Sequence, residues 1–170
     1  MKITTEFENN ILPSDYAIGA GDKDSVCGNP VRSFPFAIEG VPEGTETLAV
    51  TFIDYDAVPV CAFPWIHWLA VNIPGDMTEI PDDYSREDKE HVKGKSSLAS
   101  GLLDDDNSDI DTLYVGPMPP DKDHDYTLTV YALDAELGLK EGFYLNEFFK
   151  AAKGHTLDKA TITLIGKTKA

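Results

Sequence analysis

Two histidines, an aspartate and a tyrosine stand at the ends of apolar runs in this sequence. His67 lies in W-I-H-W-L-A-V-N-I (65–73), Asp54 follows T-L-A-V-T-F-I (47–53), and His124 leads into Tyr126 and the run Y-T-L-T-V-Y-A-L (126–133). A neutral imidazole donates from one ring nitrogen and accepts at the other, and a neighbouring carboxylate fixes its tautomer or supports its charge. Two imidazoles, a carboxylate and a phenol that converge suit two chemistries: hydrogen bonding to a small anion, or acid and base work on a bound substrate. Each residue alone has a plainer reading. A lone inward histidine also serves as a hydrogen-bonded core residue, and an aspartate after a strand also caps a turn. His91 and His155 lie in polar surroundings and receive no role.

Convergence depends on the elements that carry these side chains. The runs 47–53, 65–73, 126–133 and 161–166 read as strands, and 31–39 as a less regular one bent by Pro35. Alternation places Trp65, His67, Leu69, Val71 and Ile73 on one face of their strand. It places Asp54 in line with Leu48, Val50 and Phe52, and His124 in line with Tyr126, Leu128 and Val130. Antiparallel pairing of 47–53 with 65–73 then brings Asp54 and the start of the second strand to one end of a sheet. The loop Y-V-G-P-M-P-P-D-K-D-H-D-Y (114–126) is stiffened by its prolines and predicts a wall that presents His124 and Tyr126. Only 145–153 has helical spacing, with Leu145, Phe148, Phe149 and Ala152 on one stripe and Gly154 as a stop. The class is mainly β. The polar segment 81–112 has no dependable period and reads either as a functional loop or as a solvated insertion.

The chain has 170 residues, the size of one domain, so 1–170 is taken as a single unit. Its formal charge is −16, from 14 basic and 30 acidic residues, a field that repels nucleic-acid backbones and anionic membrane surfaces. No apolar run approaches the ~20 residues of a membrane helix, and the start M-K-I-T-T-E-F-E-N-N turns polar at once, so integral membrane association is set aside and a cytoplasmic location is expected. Cys27 and Cys61 are expected to stay unpaired in a reducing compartment.

The motifs taken together resemble the phosphatidylethanolamine-binding protein family, in its bacterial, Raf-kinase-inhibitor-like branch. G-P-M-P-P (116–120) with H-D-Y (124–126) is similar to the family's G-x-x-P-P and H-R-Y, and D-Y-D-A-V (54–58) with W-I-H (65–67) to its D-P-D-A-P and Trp-x-His. The likeness runs from about Val41 to Gly166, including V-P-E-G-T (41–45) and the closing L-D-K-A-T-I-T-L from Leu157. It implies a larger and a smaller β-sheet, short C-terminal helices, and a small anion pocket at one end of the sheet. The pocket residues it implies are Asp54, Trp65, His67, Gly116, Pro119, Pro120, His124 and Tyr126. The chain departs from the family at Tyr55 and Val58, where prolines are usual, and at Asp125, where an arginine is usual, which implies a weaker anion site or an altered ligand.

Three functions remain open at this level. The first is binding of a small anionic ligand (phosphate, phosphomonoester or carboxylate), with both histidines donating hydrogen bonds and no cofactor. The second is a hydrolase or transferase; it lacks a nucleophile motif, and a metal-dependent form would need two histidines and a carboxylate on one ion, so a binding protein is expected rather than an enzyme. The third is a protein-interaction module that modulates a kinase or protease through the segment 81–112. The sequence names no protein partner and leaves a homodimer open.

Overall fold

In the computed structural model, which describes residues 1–169, ten strands form: β1 Lys2–Thr4, β2 Ser25–Val26, β3 Asn29–Pro30, β4 Phe36–Glu39, β5 Thr47–Asp54, β6 Trp65–Pro74, β7 Glu79–Ile80, β8 Val92–Lys93, β9 His124–Leu133 and β10 Thr156–Gly166. Three short α-helices accompany them: α1 Val58–Cys61, α2 Tyr84–Glu87 and α3 Leu145–Ala151. The larger sheet is antiparallel in the order β10-β9-β5-β6-β8, the smaller is β1-β4-β7, and β2 and β3 form a ribbon. The architecture is mainly β with a larger and a smaller sheet, as the sequence indicates.

Every residue of T-L-A-V-T-F-I-D in β5 is buried, so both faces of this central strand must be covered. On one face Leu48, Val50 and Phe52 join Leu128 and Val130 of β9 and pack against Ile3, Phe36, Ile38 and Ile80 of the smaller sheet. On the other, Ala49 joins Leu69, Val71 and Leu133 beneath Phe143, Phe148 of α3 and Ala152 just after it. Each large side chain so buried contributes roughly 1.5–3 kcal/mol, which is why β5 anchors the register of its neighbours.

That register departs from simple alternation in β6. Phe52 pairs with Trp68 but Ile53 pairs with Ile66, so His67 is an extra residue opposite a single partner position; a second irregularity lies between Leu48 and Val50, where Asn72 takes a left-handed φ of 60°. A bulge turns consecutive side chains toward the same side. Trp68, Ala70 and Ile73 therefore face the smaller sheet, while Leu69 and Val71 face α3. The expected single face of Trp65, His67, Leu69, Val71 and Ile73 is thus correct at its ends and inverted in its middle.

Three further expectations change. The stretch 31–39 is regular strand only over β4, although Val31 and Phe34 are buried. In α3, Phe148 is buried but Phe149 is 50% exposed, because the short helix has one covered face and Phe149 falls outside it. The segment 81–112 is not a solvated insertion: it contains α2, β8 and a 3-10 turn at Ser97–Ala99, and it buries Tyr84, Ser85, His91, Leu98 and Ile110. Charged contacts tie it down, with Arg86 joining Asp24 at 2.8 Å and Asp83 at 2.5 Å, and Lys95 reaching Asp111 at 2.5 Å.

The contrast within α3 is measurable by urea unfolding. Phe148→Ala is expected to cost about 3–5 kcal/mol, the usual range for a truncated core aromatic, and Phe149→Ala less than about 1 kcal/mol.

Candidate functional site

The carboxylate of Asp54 ends the central strand. In the register it stands between Trp65 of β6 and Tyr126 of β9, so both partner strands start where β5 stops. At 3% exposure it needs donors, and it has two: the Ala57 N–H donates to Oδ1 at 3.0 Å and His124 Nδ1 donates to Oδ2 at 2.8 Å. Ala57 is held there by the turn into α1, a helix that opens with Pro59 in its first turn.

His124 is 1% exposed, yet both of its ring nitrogens face carboxylate oxygens, Nδ1 that of Asp54 and Nε2 that of Asp121, each at 2.8 Å. Two acceptors require two N–H groups, so the ring is an imidazolium. Burial works against this charge, but the hydrogen bonds to Asp54 and Asp121 outweigh it and the pKa is raised.

His67 is the opposite case. The bulge that inserts it into β6 aims its ring at the cluster of Phe52 and Tyr126, with ring centroids 5.8 and 5.1 Å away. Its Nδ1 donates to the Val115 carbonyl at 2.7 Å, and the Val115 N–H donates back to the His67 carbonyl at 2.9 Å. Burial pushes its pKa down to about 4, against partial support from the Val115 carbonyl and Asp54. The ring is therefore neutral near pH 7, and Nε2 presents a lone pair. The expectation that both histidines donate to a ligand is corrected here: the one donor N–H of neutral His67 is already used by the backbone.

Tyr126 is buried, and burial with the nearby Asp54 raises its pKa. Its ring lies so close to Gly166 of β10 that a Cβ there would come within 2.4 Å of Cε2, a requirement the sequence signals only as the glycine ending T-I-T-L-I-G. Gly116 is constrained likewise. Its N–H donates to the Pro30 carbonyl at 2.8 Å, and a Cβ would meet the Tyr16 carbonyl oxygen at 2.4 Å. It is a glycine because the loop presses against the N-terminal segment.

These side chains surround a cavity of about 250 Å³. All eight residues singled out in the sequence, Asp54, Trp65, His67, Gly116, Pro119, Pro120, His124 and Tyr126, line it. Sequence reasoning missed Asn29 from the ribbon, Val60 and Cys61 from α1, and Leu98 from the polar segment. For α1 the signal was available, a proline at the head of V-P-V-C; Leu98 had none, being one apolar residue in a polar stretch. Both cysteines are free thiols. Among the described residues no group of three His, Cys, Asp or Glu side chains is arranged to hold a metal ion. No described helix is long and apolar enough to cross a membrane.

Residues 2–166 match the phosphatidylethanolamine-binding protein family profile. The chain belongs to the phosphatidylethanolamine-binding protein family. Among its relatives, YxkA of Bacillus subtilis is 48% identical over 160 residues, covering 94% of this chain and 95% of that one. A UPF0098 protein of Methanothermobacter thermautotrophicus is 32% identical over 136 residues, 80% and 83% of the two chains. The crystal structure of Escherichia coli YbcL, described as a member of the mammalian phosphatidylethanolamine-binding protein family, superposes with a TM-score of 0.75 at 25% identity over 99% of this chain and 98% of that one. The family homologue CT736 of Chlamydia trachomatis has the same fold, with a TM-score of 0.76 at 23% identity over 99% and 97%.

The buried neutral state of His67 has a stability signature. Its folded pKa of about 4 lies below the ordinary histidine value of 6.5, so the unfolded chain binds the proton more readily between those values. Stability is lost as pH falls through this window, by on the order of 3 kcal/mol for this group. His67→Asn keeps an N–H donor for the Val115 carbonyl and does not titrate. Chemical unfolding of the two proteins at pH 7 and pH 4 should show a smaller acid loss in the variant by about that amount.

Proposed function

We propose that this member of the family binds small phosphoryl ligands in the cavity between His67 and His124, and takes them in a singly protonated form. The observation that carries the reading is the unlike state of the two imidazoles. His124 is a cationic donor and His67 a neutral acceptor, with Nδ1 spent on the Val115 carbonyl at 2.7 Å. A protonated phosphoryl group offers the complement of both: an anionic oxygen for the donor, and a P–O–H for the lone pair of His67 Nε2. The 2.8 Å contact between His124 Nε2 and a carboxylate oxygen of Asp121 supports an oxyanion as the partner of that nitrogen. Tyr126 adds a hydroxyl, and Trp65, Val60 and Leu98 supply apolar walls for the rest of a small ligand.

Charge favours the same species. Asp54, Asp121 and the imidazolium of His124 leave the site one negative charge in surplus, so a monoanion enters more easily than a dianion. The chain's distant carboxylates matter less, since the Debye length is about 8 Å at physiological salt. Hydrogen bonding between neutral His67 and a fully deprotonated oxyanion, by contrast, would set two lone pairs against each other.

The test is calorimetric titration with methyl phosphate and with sulfate at pH 5.5 and pH 7.5. A phosphomonoester dianion takes up the proton that makes it a monoanion near about pH 6, whereas sulfate has no such transition. Methyl phosphate is expected to bind several-fold tighter at the lower pH and to take up a proton on binding at the higher one; sulfate should bind at least about tenfold more weakly and without a pH trend. Equal affinity for the two anions, or an affinity for methyl phosphate that does not change with pH, would refute the reading.

A further inference from the structure

His124 is served by two carboxylates where one suffices to orient it. Asp54 is buried and fixed by the Ala57 N–H as well as by His124 Nδ1. Asp121 differs in kind. Its side chain is 50% exposed, it stands three residues before His124 on the turn that leads into β9, and it holds the Nε2 edge of the ring. An ion pair with one partner in water contributes little to folding, because that partner keeps most of its hydration when released. If Asp121 swings out, His124 keeps its charge partner in Asp54 and the fold loses no core contact.

Resting on the phosphoryl reading above, we infer that Asp121 is an internal competitor for the pocket: it occupies the outer donor of His124 in the free protein, and a ligand oxyanion enters by displacing it from Nε2. One N–H cannot serve two oxyanions at full strength, and the two negative charges repel at that distance. A group tethered a few residues away competes at an effective concentration in the millimolar range. The ligand's apparent affinity is therefore lowered by the fraction of time that this one exposed side chain holds Nε2.

The alternative is that Asp121 acts only as one more negative charge. Asp125 controls for this, since it is an exposed aspartate next to His124 in sequence whose carboxylate does not contact the ring; its backbone N–H donates to Asp56 at 3.0 Å. Methyl phosphate affinity at pH 6 is measured by calorimetry for the natural protein, Asp121→Ala and Asp125→Asn, and the His124 ring titration is followed by nitrogen chemical shifts. Asp121→Ala should bind about three- to fivefold tighter, the size of one exposed ion pair, and its His124 pKa should fall. Asp125→Asn should change affinity by less than about twofold, as expected for a screened charge. If the natural protein binds and Asp121→Ala is no tighter, or Asp125→Asn tightens equally, the competitor role is overturned while the phosphoryl reading stands. An unchanged His124 pKa in Asp121→Ala also overturns it. If neither the natural protein nor Asp121→Ala binds methyl phosphate, both readings fall together.

Discussion

A carboxylate taken out of water must find donors, and the placement of Asp54 at the buried end of the central strand organises what surrounds it. One oxygen requires an N–H from the turn after β5, which the Ala57 amide supplies as the chain enters α1. The other requires a donor from β9, which fixes the orientation of His124 and favours its cationic form. The same register sets Trp65 and Tyr126 on either side of Asp54, so strand pairing forms one side of the cavity, and the proline-rich loop and α1 close the rest. The two histidines diverge because only one of them meets a carboxylate directly. His67 meets a backbone carbonyl instead and loses its charge to burial.

Much of this was legible in the chain. The runs 47–53 and 126–133 alternate cleanly and have no internal irregularity where they pair, so the parity that set Asp54 and Tyr126 inward held. The strand carrying His67 did not obey parity, because a bulge is decided by the fit between two strands and leaves no composition of its own. Its ends agreed with expectation only because two irregularities cancel. The donor roles of the histidines were also illegible, since they depend on which groups fold against each ring: Val115 comes from 48 residues away and Asp54 from 70. Asp121 was visible as a residue in the proline-rich loop, but its contact depends on the turn closing within three residues of His124. The segment 81–112 looked solvated because its apolar residues are sparse, and its order rests on ion pairs with Asp24 and Asp111 that have no periodicity to read.

The surplus of acidic residues has a local as well as a global meaning. Asp125 occupies the position where the family pattern carries an arginine, and Asp56, Asp121 and Asp123 crowd the same end of the sheet. Of these, Asp121 joins Asp54 in holding the His124 ring, while the others add to a local negative field that opposes a further negative charge.

The two irregularities in β6 behave like a pair of compensating frameshifts in a message read two letters at a time. The first, at His67, moves the reading frame so that Trp68 and Ala70 face the smaller sheet; the second, at Asn72, restores it at Ile73. Because the extra residue at each slip stands outside the pairing, its loss would leave every rung of the ladder as it is, whereas loss of a paired residue would turn every side chain beyond it to the wrong layer. His67, as the extra letter of the first slip, is therefore a residue the core can be read without, and what its insertion adds is an inward imidazole at the cavity.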